Sequence, residues 1–199
     1  DERQWSWMDE GINTFVQYLA EQEFDNNYNS RRGPAHKAVG YMSSDPDRLE
    51  PIMTNSENIV GFGWNAYGKP ATGLNMLRET IMGRDLFDYA FKEYANRWKF
   101  KHPTPEDFFR TMEEASGVDL DWFWRGWFYS TDHVDISLDR IYKLRLDTEN
   151  PDIDFARERQ TEADKPVSLT DTRNRDEGMQ LWVERFPDIT DYYDENDRF

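Results

Sequence analysis

Few side chains in this 199-residue sequence are equipped for chemistry, and what is missing narrows the options first. There is no cysteine, so thiolate nucleophiles, thiolate metal sites and disulfide frameworks are excluded, while the redox compartment stays open. The three histidines, His36, His102 and His133, lie far apart, and none stands in the HxxxH or HxH spacing that sets two imidazoles on one ion. A complete zinc site therefore cannot be written from this chain alone. Carboxylates and hydroxyls remain. Glu10, in WMDEGINTF, falls opposite an apolar stripe and on the side of Asn13, Thr14, Gln17 and Glu21, which periodicity alone reads as a solvated face. Tyr67, in YGKP, stands at the start of a helical pattern and by itself reads as a half-buried tyrosine with its hydroxyl at the surface.

The elements that must carry these groups are mainly helical. Met8, Ile12, Phe15, Val16 and Leu19 recur at three and four residues and predict a first amphipathic helix. Residues 25 to 60 are broken repeatedly by Asn, Gly, Pro and Asp and predict loop with one short element. A second helix is expected from Pro70, suited to a first turn, to Gly83, with Leu74, Leu77 and Ile81 on one face. Asp85 is the expected cap of a third, in which Phe87, Ala90, Phe91, Tyr94 and Trp98 keep helical spacing. Thr104 with Asp107 starts a fourth that Gly117 stops, and DWFWRGWFY forms a short fifth. Beyond His133, which reads as a boundary histidine, residues 134 to 146 alternate apolar and polar as a half-buried strand would. The division expected is thus 1–132, helical, and 133–199, a strand followed by an acidic linker or insertion that carries −9 of the net charge of −16.

That charge makes nucleic acid and anionic membranes poor partners, and no apolar run is long enough to span a bilayer. Aromatic residues make up 16% of the chain, so their rings must fill a core or line a binding surface. In the run Trp122, Phe123, Trp124, Trp127, Phe128, Tyr129, the four-residue spacings Trp124 to Phe128 and Phe123 to Trp127 favour core packing. The alternative is a non-catalytic helical module that binds a protein or a glycan through these aromatics.

Three stretches resemble the M1 aminopeptidases, a family of gluzincin zinc metallopeptidases. WMDEGINTF is similar to the segment that carries the family's third zinc ligand, a glutamate in a W-x-x-E-G context about eighteen residues after an HExxH helix; Trp7, Glu10 and Gly11 supply that context. Tyr67-Gly68-Lys69-Pro70 is similar to the family's Y-x-K-G, with proline in place of the glycine. TPEDFFRTMEEASGVDLDWFWRGWFY resembles the helix and aromatic W-F-x-x-W run that follow. The likeness covers residues 1 to about 135, in the family's order and spacing.

The resemblance implies the helical C-terminal part of a thermolysin-like catalytic domain, cut between the HExxH helix and the third ligand. It implies zinc held by two histidines and a glutamate, with the HExxH portion lying in the remainder of the same domain. On it, Glu10 is the metal ligand and Tyr67 the donor to the oxyanion that forms on a peptide substrate, with Asn13 and Thr14 orienting Glu10. It implies that the isolated chain neither holds zinc tightly nor hydrolyses peptides. Glu10 and Tyr67 should face one cavity, roughly 4 to 8 Å apart, the span of an ion, a bound oxygen and a hydrogen bond. A periplasmic or secreted location is favoured over a cytoplasmic one.

Overall fold

The computed structural model describes residues 3–25, 28–132, 150–164 and 167–189, and every regular element among them is an α-helix, a 3-10 turn or a π-helical turn. The strand expected over residues 134 to 146 and the boundary histidine His133 lie outside the described residues. No described helix is long and apolar enough to cross a membrane.

The first helix, α1 (Trp7–Phe24), buries Trp7, Met8, Gly11, Thr14, Phe15, Tyr18 and Gln22. This face is rotated from the expected stripe: Val16 is 45% exposed, while Thr14, expected on the polar side, is buried. The rotation follows from Trp7 and Tyr18, whose larger apolar surfaces outweigh one valine in deciding which side faces inward. Trp7 packs against Phe108, Phe109 and Phe128 at centroid distances of 5.7, 5.8 and 4.9 Å and fixes the first turn of α1.

After a short helix α2 (Val39–Met42) and several 3-10 turns, the chain enters one continuous helical run in three parts. A π-helical turn (Gly63–Gly68) leads into α3 (Lys69–Met76), which passes into a second π-helical turn (Leu77–Ile81). Pro70 therefore does not open the helix, as the sequence suggested. It sits in the first turn of the α-register part, where a missing N–H is tolerated. α4 (Arg84–Trp98) is preceded not by an Asp85 cap but by Gly83, whose φ of +82° suits a residue without Cβ; Asp85 lies in the first helical turn.

α5 (Pro105–Ser116) opens with the expected box, the Thr104 amide and hydroxyl donating to Asp107 Oδ2 at 3.0 and 3.1 Å, and ends at Gly117 with φ +68°. α6 (Asp121–Phe128) buries Phe123, Trp124 and Phe128, and the pairs Trp124–Phe128 and Phe123–Trp127 meet at 5.5 and 5.7 Å. Trp122 and Tyr129 stay exposed. α1 packs along α3 and its leading π turn, and α4 packs along α5, around a core that includes Phe15, Leu74, Phe87, Phe108 and Met112.

The acidic C-terminal region is also helical where described: α7 (Pro151–Ala163), α8 (Leu169–Asp176) and α9 (Trp182–Arg185). α8 docks on the second π turn through polar groups. Glu79 is buried there, its carboxylate accepting from Arg78 at 2.9 Å, from Arg84 at 2.9 Å, from Arg173 of α8 at 3.0 Å and from the Thr170 hydroxyl at 3.2 Å.

Candidate active site

Glu10 lies in the first turn of α1, three residues from the Trp7 anchor, so its position is set by the aromatic core. The loop over residues 51 to 58 braces the same turn: the Ser6 amide and hydroxyl both donate to Ser56 Oγ, at 3.0 and 2.7 Å, and the Ser56 amide donates to the Gln4 carbonyl. Gly11, next in sequence, faces α3. A Cβ there would lie 2.6 Å from Pro70 Cγ and 3.0 Å from the Ala66 carbonyl oxygen, so glycine is what allows the two helices to approach.

Tyr67 comes from the other side of that contact. It lies inside the π turn rather than ahead of a helix, and the extra residue in the turn re-aims the side chains beside it. Two close fits hold this turn: Trp64 covers Gly68, where a Cβ would meet its ring at 2.2 Å, and Asn65 Nδ2 donates to the Pro51 carbonyl at 2.7 Å. As a result the Tyr67 hydroxyl donates to Glu10 Oε1 at 2.6 Å, across 57 positions of sequence. This is shorter than the separation anticipated for two groups flanking an ion and its ligand. The hydrogen bond to Glu10, then loss of water, then the Glu10 charge push the phenol's pKa up, so the group is a protonated donor at neutral pH.

A cation borders the pair. Arg32 places its guanidinium carbon 4.6 Å from the Tyr67 ring centroid, within cation–π range, and Phe62 meets the same ring edge-on at 5.9 Å. Sequence reasoning passed over Arg32 as part of a loop; the available signal was a paired Arg31-Arg32 beside Gly33 in a strongly acidic chain. Lys69, two residues past Tyr67, donates to the Ser130 carbonyl at 3.0 Å, and burial pushes its ammonium down to about 8.

The two residues expected to orient Glu10 do not act on its carboxylate. The Thr14 hydroxyl donates at 2.6 Å to the Glu10 backbone carbonyl, a bond made within the helix. Asn13 is exposed.

The residues matching known proteins are those that build this geometry. The model of the Peptidase family M1 domain matches residues 3–127. The chain belongs to peptidase family M1. Among curated relatives, it is 28% identical to glutamyl aminopeptidase of Bos taurus over 119 residues, 56% of this chain and 12% of the relative. It is 26% identical to glutamyl aminopeptidase of Sus scrofa over 119 residues, and 28% identical to aminopeptidase M1-D of Oryza sativa subsp. japonica over 117. The aligned stretch thus spans about an eighth of these relatives' length, 12% or 13% of each. No solved structure matches the chain.

Whether this M1 segment suits a metal can be judged from its donors. Among the described residues one acidic group could bring three ligands together, Glu113, Asp119 and Asp121, at the turn between α5 and α6. Its oxygens already serve the backbone: Glu113 Oε1 accepts from the Leu120 amide at 2.9 Å and Asp119 Oδ1 from the Asp121 amide at 3.1 Å. Glu10 stands apart from it as a single, partly buried carboxylate bearing a hydroxyl donor. It fits as one anionic donor of a site completed by other ligands.

Proposed function

We propose that this chain supplies one wall of the catalytic centre of a zinc aminopeptidase that removes N-terminal residues from peptides. The observation that carries the reading is the 2.6 Å hydrogen bond between Tyr67 and Glu10, which unites residues matched separately to two family motifs. Membership of family M1 and relatives named as aminopeptidases support it.

Glu10 is the anionic metal ligand in this reading, acting with two histidines of an HExxH segment in the remainder of the domain. Zinc, when bound, supplies Lewis-acid activation of water and of the peptide carbonyl. The chain's own contribution is positional. Trp7 and Ser6 hold the first turn of α1, Gly11 admits Pro70, and the π turn aims the Tyr67 hydroxyl at the Glu10 face. As water attacks, negative charge grows on the carbonyl oxygen, and Tyr67 turns its hydrogen bond from Glu10 to that oxygen. Being protonated at neutral pH, the phenol can donate there without prior proton uptake.

A single preorganised donor of this kind is worth roughly 2.7–4 kcal/mol, so in the enzyme that joins this segment to its HExxH part Tyr67→Phe lowers kcat by about 10²–10³. KM changes little, because the charge that the hydroxyl meets exists mainly in the transition state. Steady-state kinetics on an aminoacyl anilide read both. A Tyr67→Phe enzyme with unchanged kcat would overturn the role.

A further inference from the structure

The proposed chemistry gives no task to Arg32, which lies beside this centre. Its guanidinium lies over the Tyr67 ring, partly buried, at the edge of the face where Tyr67 meets Glu10. No described carboxylate lies within ion-pair distance of it, whereas Arg78, Arg84, Arg97, Arg173 and Arg185 all hold one. Its neighbour Arg31 is a second cation, and burial, then the Arg31 charge, push the Arg32 pKa down, an effect that the smaller opposing influence of Tyr67 and Glu10 does not cancel.

An unpaired, partly desolvated arginine is costly in a chain of net charge −16 that has 40 acidic residues available to pair with it. Such a group is placed to meet an anion that arrives with a ligand, and the planar guanidinium suits a carboxylate bidentately. The contact with the ring restrains the guanidinium, which reduces the side-chain freedom lost on pairing.

We infer that Arg32 is a specificity-determining residue that binds a carboxylate carried by the substrate next to the bond addressed by Tyr67. The inference rests on the aminopeptidase reading for the identity of the ligand, but not for the presence of the site. Two sources present the same chemistry: an acidic side chain on the N-terminal residue, or the free C-terminal carboxylate of a dipeptide.

The test uses the complete enzyme, wild type and Arg32→Gln, with Arg32→Lys as the variant that keeps the charge and loses the fork. One arm compares glutamyl with glutaminyl p-nitroanilide, and the other alanyl-alanine with alanyl-alanine amide. The wild type favours the carboxylate-bearing member of one pair, which names the source. In Arg32→Gln the ratio of kcat/KM within that pair falls at least tenfold, chiefly through KM, and Arg32→Lys restores part of it. Calorimetric titration with L-glutamate against L-glutamine, and with the two dipeptides, reads the same preference without turnover. A ratio unchanged by the substitution, a loss shared equally by both members, or no carboxylate preference in the wild type by either readout overturns the inference. A preference seen in titration and lost in Arg32→Gln, with no substrate turned over, sustains the carboxylate site and refutes the aminopeptidase reading instead.

Discussion

Replacing Glu79 by alanine tests the polar junction between the second π turn and α8. The Glu79 side chain is 3% exposed, and it is shared by the guanidinium groups of Arg78, Arg84 and Arg173. Truncating one partner of a buried ion pair costs about 3–5 kcal/mol, because the other charge stays buried without compensation. Here the loss is unequal. Arg78 retains Asp88 at 2.7 Å and Arg84 retains Glu177 at 2.8 Å, while Arg173 loses its described carboxylate but is 36% exposed and can turn to water. The three effects together place Glu79→Ala near the lower end of that range, about 3 kcal/mol. With a urea m-value of about 2 kcal/mol/M, the unfolding midpoint falls by about 1.5 M. Arg173→Ala alone should cost much less, and the double variant less than the sum of the two, since the pair is lost only once. Equilibrium urea unfolding followed by tryptophan fluorescence measures all three. A Glu79→Ala midpoint within error of the wild type, or strictly additive effects, would refute the argument that α8 is held by this carboxylate.

Two further outcomes follow from the elements that carry Glu10 and Tyr67. Gly11→Ala puts a Cβ 2.6 Å from Pro70 Cγ; the helices must separate, stability falls by about 1–3 kcal/mol, and kcat of the complete enzyme falls with it, whereas an unaltered midpoint and kcat would show that the contact is soft. For Lys69 the folded pKa of about 8 lies below the ordinary value of 10.5, because burial disfavours the ammonium. Below pH 8 both states carry the proton and the burial penalty is present in full; between the two values the unfolded state binds more protons, so stability rises with pH. Lys69→Met removes that rise, and a melting temperature whose gain between pH 8 and 10 is the same in variant and wild type would contradict the assignment.

The sequence was most informative where a residue type has one structural use. Thr104 with Asp107 and the left-handed Gly117 bound α5 as read, because capping boxes and αL stops are local and depend on nothing distant. The π turns were invisible, since a one-residue change of hydrogen-bond register leaves the spacing of apolar residues almost unaltered; this is why Tyr67 was expected at a helix start. The docking of α8 was missed for a different reason. Its inward positions are Thr170 and Asn174, and a hydrophobic pattern cannot flag a face buried through polar contacts. At the candidate site, the motifs drew attention to Glu10 and Tyr67, but the devices that join them, Gly11 against Pro70 and Arg32 over the ring, depend on two distant segments meeting and have no local signature.

The central claim, that Glu10 holds the metal while Tyr67 acts on the reacting carbonyl, is tested most directly by the zinc content of the complete enzyme after dialysis against a weak chelator. The account predicts zinc near one per chain in the wild type and in Tyr67→Phe, and its loss in Glu10→Ala, because removing one of three protein ligands leaves a site too weak to compete. Stoichiometric zinc retained by Glu10→Ala, or zinc lost equally from Tyr67→Phe, would contradict it.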